Sequence, residues 1–501
     1  MSNPYIILPI VFHMAAAVIL MFCWFQPRVQ KLLSILFSLI GLGISVWLFR
    51  LVWHEGFQVT QAGNWDAPFG ISFIADTLGS TLGLLSSISL LAVSIFSTVS
   101  MREERIKFGY FPTLHFLIMG LQGAFLTADI FNLYVWFEVV IISSFVLLTL
   151  GGKKTQLEGA LKYVSLNLLA STFFLIGIAL VYGLTGSLNL ADVAIKIGAV
   201  ENRGLVNMTA GLFLVAFGIK SALFPMYFWL PASYHTPPAA ISAIFAGLLT
   251  KVGVYAMVRM FTMVFIGDTF MSITLSGLAA LTIISGGLGA IRQQHLGKIF
   301  GYLIICHIGF LFAGLGIFTE LALVGTIFYL IHDIVVKTNL FIVAGLMNKL
   351  TGSPFIKEQG GLYAKYPLLS LLFAIPLFSL VGIPPLSGFW AKVYLIQASF
   401  ETREFLLVGS IIFGSFLTLW VIAKVWSESF WKDKPEASSS GKPWSTFSTK
   451  EKWGILVPIM FLSIVSLYIG LAAENIISLA SRIAAELMDP SAYINSILGM
   501  K

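Results

Sequence analysis

Charge is the first thing this sequence lacks. Only 11% of its 501 residues are Asp, Glu, Lys or Arg and 58% are hydrophobic, against about a quarter charged in an ordinary soluble domain. A water-soluble globular fold is excluded. Cysteine is nearly absent: Cys23 and Cys306 stand far apart, in or at the end of apolar stretches, so the sequence points to no disulfide framework, no metal site and no redox chemistry by the chain itself. No cysteine cluster offers an iron–sulfur site, and no glycine-rich loop leads into a Lys-Ser or Lys-Thr pair that would cradle ATP phosphates. The net charge of +7 is scattered over loops without forming a patch for nucleic acid. No cofactor is expected.

What is present is a series of apolar runs near or above the roughly 20 residues that cross a bilayer. Backbone groups in hydrocarbon must bond within their own segment, and these runs are too long and too uniformly apolar for barrel strands, so each reads as a helix. The expected spans are 4–24, 31–53, 73–99, 110–127, 129–150, 161–183, 205–229, 238–265, 271–291, 298–317, 320–348, 368–397, 405–430 and 453–475. The first lacks the basic start and the small-residue cleavage site of a signal peptide and reads as a membrane helix. The fold class is an all-α polytopic membrane protein of about fourteen helices.

Orientation follows from the loops. Arg28 and Lys31, then Arg102, Arg105 and Lys107, then Lys153 and Lys154, then Arg292 and Lys298, fall after odd-numbered helices. Lys349, Lys357 and Lys365 follow helix 11, and Lys424, Lys432, Lys434, Lys442, Lys450 and Lys452 surround the loop after helix 13. Positive charge stays cytoplasmic, so both termini are expected outside. Residues 432–452, with a Ser-Ser-Ser-Gly centre, read as a flexible cytoplasmic loop, and the last 25 residues as an amphipathic tail near the outer surface.

An ionisable group inside such a span costs several kcal/mol unless it faces a cavity or a partner, so these groups carry the functional information. Glu138 sits mid-helix in Phe-Asn-Leu-Tyr-Val-Trp-Phe-Glu, with no basic neighbour in sequence, and needs a partner from another helix. Lys220 precedes Pro225, which removes a backbone hydrogen bond and favours a break whose freed carbonyls and trapped water would solvate an ammonium. Lys251 lies mid-helix between Gly247 and Gly253, where backbones can approach closely. Helix 11 carries His332, Asp333 and Lys337, the last two spaced to pair. Lys392 follows the paired Pro384 and Pro385, a second lysine beside a second interruption, as an internal repeat would place it. His307 has an even choice between a relay and a neutral ring bonded to a carbonyl. Lys162 and Lys424, near helix ends, read as structural or snorkelling lysines, Asp76 and Asp129 as caps or interfacial contacts, and His235 as a loop residue. Lysine, histidine and glutamate bridged by water can pass a proton stepwise. The residues therefore point to proton or ion movement, with energy drawn from a gradient or a partner.

Residues 217–255 and 381–392 resemble the antiporter-like subunits shared by respiratory complex I and the Mrp-type multisubunit Na+/H+ antiporters. The likeness extends through Gly-Asn-Trp-Asp-Ala-Pro-Phe-Gly-Ile at 63–71, Asp-Ile-Phe-Asn-Leu-Tyr-Val-Trp-Phe-Glu at 129–138 and Phe-Pro-Met-Tyr-Phe-Trp-Leu-Pro at 224–231. The 63–71 segment, the length and the lysine at 392 resemble the D-type subunits most. The resemblance implies two inverted five-helix repeats, helices 4–8 and 9–13, with helices 7 and 12 discontinuous. The domains it implies are 1–109, the repeats 110–265 and 266–431, the loop 432–452, and 453–501 with helix 14 and the tail. It implies that Glu138 pairs with Lys220, that Lys251 is the central relay, and that His332, Lys337 and Lys392 carry the line to the opposite half-channel. It also implies a multi-pass place in the bacterial cell membrane among other Mrp antiporter subunits, exchange of cytoplasmic Na+ for external H+ driven by the proton-motive force, and no enzymatic role. The competing readings are a proton-pumping membrane subunit of an NADH-quinone oxidoreductase or membrane-bound hydrogenase, and a passive scaffold, which the number of costly buried charges weakens.

Overall fold

In the computed structural model, residues 3–267, 269–435 and 441–500 are described. The apolar runs form helices, as segments that must satisfy their own backbone in hydrocarbon are bound to do. Among the described residues, twelve helices are long and apolar enough to cross a membrane, and Tyr110–Leu126 and Pro367–Val381 are shorter apolar helices. These and the further helices that shape the site are, in chain order, α1 (Leu8–Phe22), α2 (Pro27–Glu55), α3 (Thr77–Ser100), α4 (Tyr110–Leu126), α5 (Ile130–Thr149), α6 (Lys154–Thr185), α7a (Arg203–Ser221) and α7b (Trp229–Ser233). Then come α8 (Ala239–Met263), α9 (Thr269–Arg292), α10 (Leu296–Ile317), α11 (Glu320–Thr351), α12a (Pro367–Val381), α12b (Ser387–Glu401), α13 (Phe405–Trp426), α14 (Thr449–Leu471), α15 (Ala473–Met488) and α16 (Ser491–Leu498).

Four differences from the sequence reading have local causes. Helix 3 starts at Thr77, not at 73, because Ser72–Ala75 (β2) pairs antiparallel with Gln58–Gln61 (β1), Gln58 facing Ala75. Asp76 then caps the helix, its Oδ1 accepting from Gly79 N at 2.8 Å. Helix 6 begins at Lys154, seven residues before 161, because polar residues after the Gly151-Gly152 pair can lie in an interfacial first turn. The tail is two packed helices, not one surface segment: Ala480, Ile483 and Ala484 of α15 are fully buried. The loop 432–452 is tied at both ends, Lys432 O accepting from Gly361 N at 2.7 Å and Lys442 N donating to Lys349 O at 2.9 Å, and its centre, 436–440, lies outside the described residues.

α8 and α11 are enclosed by other helices over their whole apolar windows, whereas α2 is largely open to its surroundings. With no hydrophobic driving force between helices in lipid, such a centre is held by close van der Waals packing at small residues. A Cβ built on Gly253 would sit 2.8 Å from Ser221 N and 3.1 Å from Lys220 C, so this glycine lets α8 rest on the end of α7a. One built on Gly247 would collide with Thr338 Oγ1 of α11. Gly253→Val is expected to push α7a from α8 at a cost of about 1–3 kcal/mol, seen as a lower melting temperature of the purified assembly. An unchanged melting curve would mean that this contact is loose.

Candidate functional site

The charges meet where α8 and α11 cross. Lys251 Nζ lies 2.7 Å from Asp333 Oδ2, with both side chains fully buried. The approach is an ion pair by distance but does not meet hydrogen-bond angles; the ammonium's hydrogen bond goes to Ala246 O at 2.9 Å. That carbonyl is available because Phe245–Leu249 winds as a π-helical turn inside α8. Asp333 Oδ1 faces His307 Nδ1 of α10 at 3.7 Å and Lys337 Nζ at 3.9 Å. The sequence spacing of Asp333 and Lys337 therefore does bring them together, but the nearer partner comes from another helix. Lys337 Nζ has no hydrogen-bond partner within the protein. One carboxylate thus stands among two lysines and a histidine.

The two helix interruptions flank this cluster. At the end of α7a the backbone turns left-handed at Ala222, with φ of 64°, and Leu223 N returns to Gly218 O at 2.8 Å. Pro225 sits inside the resulting break, and Trp229 Nε1 donates at 2.9 Å to Ile219 O, which also accepts from Ala222 N. Lys220 occupies the last turn of α7a, where the helix dipole favours a cation. Its Nζ donates to Ser171 Oγ at 3.2 Å and lies 4.8 Å from the centre of the Phe137 ring. Glu138 and Lys220 do not form an ion pair within 4.0 Å, and Glu138 Oε1 has no hydrogen-bond partner among the described residues. The direct pairing that the resemblance implied is not made in this conformation. Ser171 has taken the ammonium, and the Phe137 ring lies beside it. A cavity of about 10 Å³, bordered by Phe137, Tyr163, Asn167, Lys220 and Trp229, has room for about one water.

In α12 the break runs from Gly382, at φ 84°, through Pro384 and Pro385 to Leu386. Val381 O, at the end of α12a, accepts from Lys392 Nζ at 2.7 Å, and the ammonium stands 5.2 Å from the Phe310 ring centre. A freed carbonyl solvates the lysine, the device expected at Pro225 and found here. From α11, His332 Nδ1 contacts Ser387 Oγ at 2.7 Å, and Ser387 continues to Ser466 at 3.1 Å. His307 Nε2 contacts Thr418 Oγ1 of α13 at 3.3 Å. Lys220, Lys251, His307, His332, Asp333, Lys337 and Lys392 are thus all buried in the central helices, with Glu138 half-buried at one margin.

The remaining residues divide. Lys162 pairs with Glu158 at 2.7 Å on an exposed face, Lys424 donates to Ile291 O at 2.9 Å, and Asp129 caps α5 through Asn132 N at 2.7 Å. These are structural contacts, as expected. His235 lies in a turn between α7b and α8, where its ring meets that of His295 at 5.2 Å. Asp76 does more than cap: its Oδ2 lies 2.5 Å from Arg259 Nη2, both nearly fully buried. Arg259 is absent from the sequence-derived set, although an arginine within an apolar span meets the same criterion that singled out Lys251. The buried pair His13 and His115, Nδ1 to Nδ1 at 3.2 Å, was likewise not singled out. Among the described residues no group of three or more His, Cys, Asp or Glu is placed to hold a metal ion.

The family model for the membrane part of NADH:quinone oxidoreductase and Mrp antiporters matches residues 127–418, the stretch that contains Glu138, Lys220, Lys251, His307, His332, Asp333, Lys337 and Lys392. The chain belongs to this family. It is 40% identical over 498 residues to the D-type subunit of the Na+/H+ antiporter of Alkalihalophilus pseudofirmus and 39% identical over 497 residues to that of Bacillus subtilis, each alignment covering 99% of both chains. A chain in the structure of the Mrp complex from Dietzia sp. DQ12-45-1b superposes with a TM-score of 0.91 at 27% identity, covering 99% of each chain. As a family member the chain is a multi-pass membrane protein with the antiporter-like subunit fold.

Proposed function

We propose that this chain is a D-type subunit of an Mrp-type multisubunit antiporter in a bacterial cell membrane, exchanging cytoplasmic Na+ for external H+ at the expense of the proton-motive force. What carries the reading is the set of ionisable groups buried in the central helices of a chain similar along its whole length to Na+/H+ antiporter subunits. The chain works as a transporter subunit, together with other Mrp antiporter subunits, and both termini face outside. Helices α4–α8 (110–265) and α9–α13 (266–431) act as inverted repeats, each contributing one broken helix and one lysine beside the break.

The mechanism follows from charge balance. Asp333 can neutralise one of Lys251 and Lys337 but not both, and an uncompensated ammonium in a water-poor site is costly. The second lysine is therefore the seat of a labile proton, and His307 is placed to share it. Glu138 and Lys220 form the entry: a Lys220 ammonium drawn onto the Glu138 carboxylate holds its proton, and one returned to Ser171, away from that carboxylate, releases it inward. Lys392, bound to a carbonyl that carries no formal charge, is the exit group.

The test is Na+-dependent collapse of a proton gradient in everted vesicles from an antiporter-deficient host expressing the complete set of subunits. Wild type is expected to exchange, and Glu138→Ala to fall to the host background with the complex still assembled. Normal exchange by the variant would remove Glu138 from the path. No exchange by wild type, with iron–sulfur subunits copurifying, would move the chain to an oxidoreductase.

A further inference from the structure

Polar side chains continue from Lys251 along α8, away from the α11 cluster. One turn on, Tyr255 Oη donates to Phe125 O at 3.0 Å, and a further turn on, Arg259 reaches Asp76 at 2.5 Å. The guanidinium lies between two rings, Tyr255 at 5.3 Å and Tyr493 of α16 at 4.9 Å. Beside Asp76, Thr77 Oγ1 donates to Glu486 Oε1 of α15 at 2.6 Å, and Arg482 Nε reaches the same oxygen at 3.2 Å. Arg482 is anchored in turn to Trp53 O at 2.7 Å. The two C-terminal helices therefore close over the end of α8 by polar contacts.

Four polar atoms at this one place are buried with no hydrogen-bond partner among the described residues: Arg259 Nε, Thr262 Oγ1, Tyr493 Oη and Glu486 Oε2. Arg259, Thr262 and Tyr493 are 4%, 1% and 3% exposed. Buried polar groups are nearly always bonded to protein or to ordered water, so four together mark a place built to be wet. Burial, with the charge of Asp76 added, holds the Glu486 carboxyl above its usual range, against the pull of Thr77 and Arg482.

We propose that Asp76 and Arg259 form the gate of a hydrated branch that joins Lys251 to the membrane face where the β1–β2 hairpin and the C-terminal helices lie, with Glu486 as the proton-exchanging carboxyl at its mouth. A proton leaving the Lys251 ammonium passes to branch water and from there to the Glu486 carboxylate, which returns it to bulk water. Arg259 stays charged at any working pH, and Asp76 beside it offsets that charge, so the closed pair does not itself bar protons relayed by neighbouring branch water. That protons use the branch rests on the antiporter reading; that the branch is wet does not.

The test uses the complete complex in opened membranes, with Cys23→Ser, Cys306→Ser and Thr262→Cys, and an anionic methanethiosulfonate added to both sides. Labelling at position 262 is expected, and adding Asp76→Asn should raise its rate by about tenfold or more, because removing one partner of a buried pair destabilises the closed state by well over the 1.4 kcal/mol that a factor of ten requires. Should Asp76→Asn prevent assembly, Arg259→Lys is read instead and should also label faster, since an ammonium lacks the planar fork. Failure of the assembled complexes to label at position 262 under any of these variants, or an unchanged rate, would make the pair a dry structural clamp and overturn the proposal. Labelling as expected in a complex whose wild type shows no exchange would keep the branch and remove the antiporter reading.

Discussion

Asp333→Asn is expected to abolish Na+-dependent exchange and to lower the yield of assembled complex. The carboxylate has Lys251 at 2.7 Å, His307 at 3.7 Å and Lys337 at 3.9 Å, all fully buried. Removing its charge leaves two lysines facing each other without a counter-ion, and breaking a buried pair in this way costs about 3–5 kcal/mol. A second substitution separates structure from transport. In Asp333→Asn with Lys251→Met the excess charge is gone and Met fills most of the lysine volume, so assembly is expected to recover while exchange stays at background. Yield measured by affinity capture of a partner subunit, beside gradient collapse in vesicles, reads both quantities. Exchange by the assembled double variant would show that the α8–α11 cluster is a structural ion pair outside the path.

The second large effect is expected at Lys392. Lys392→Met should leave the complex assembled, since the lost contact is a single hydrogen bond to Val381 O at the mouth of a break, and should abolish exchange. Lys392→Arg is the sharper variant. Arginine keeps the positive charge and the stacking surface toward Phe310 but cannot give up its proton in a protein. If Lys392 serves only as a fixed charge, the arginine variant exchanges nearly as wild type. A proton carrier at this position predicts background exchange in both variants, and normal exchange by Lys392→Arg would take the residue out of the relay.

Hydropathy alone made the membrane class and the approximate helix spans legible, because in hydrocarbon the backbone has so few alternatives, and the prolines at 225, 384 and 385 marked the two interruptions. The costs of burying charge also picked out Glu138, Lys220, Lys251, His307, His332, Asp333, Lys337 and Lys392, and the structure buries all of them but Glu138, which is half-buried. These inferences need only one residue and its immediate surroundings in the chain. Arg259 was open to the same reasoning; its partner was not, since Asp76 lies at a helix start 183 positions away, where a cap is explanation enough.

Partnership is what only the tertiary structure decided. Spacing along α11 offers Asp333 to Lys337, yet Lys251 of α8 takes the closer place, because enclosed helices bring residues nearer than one helical turn does. Lys220 rests on Ser171 and not on Glu138, and Lys251 is solvated by a π-helical turn that no proline announces. The polar hairpin of β1 and β2, and the burial of the tail over Arg259, are equally a matter of what each segment meets. Transfer from water to lipid is a property of a segment and can be read from it; the pairing of charges depends on distance and direction between segments, which exist only after they pack.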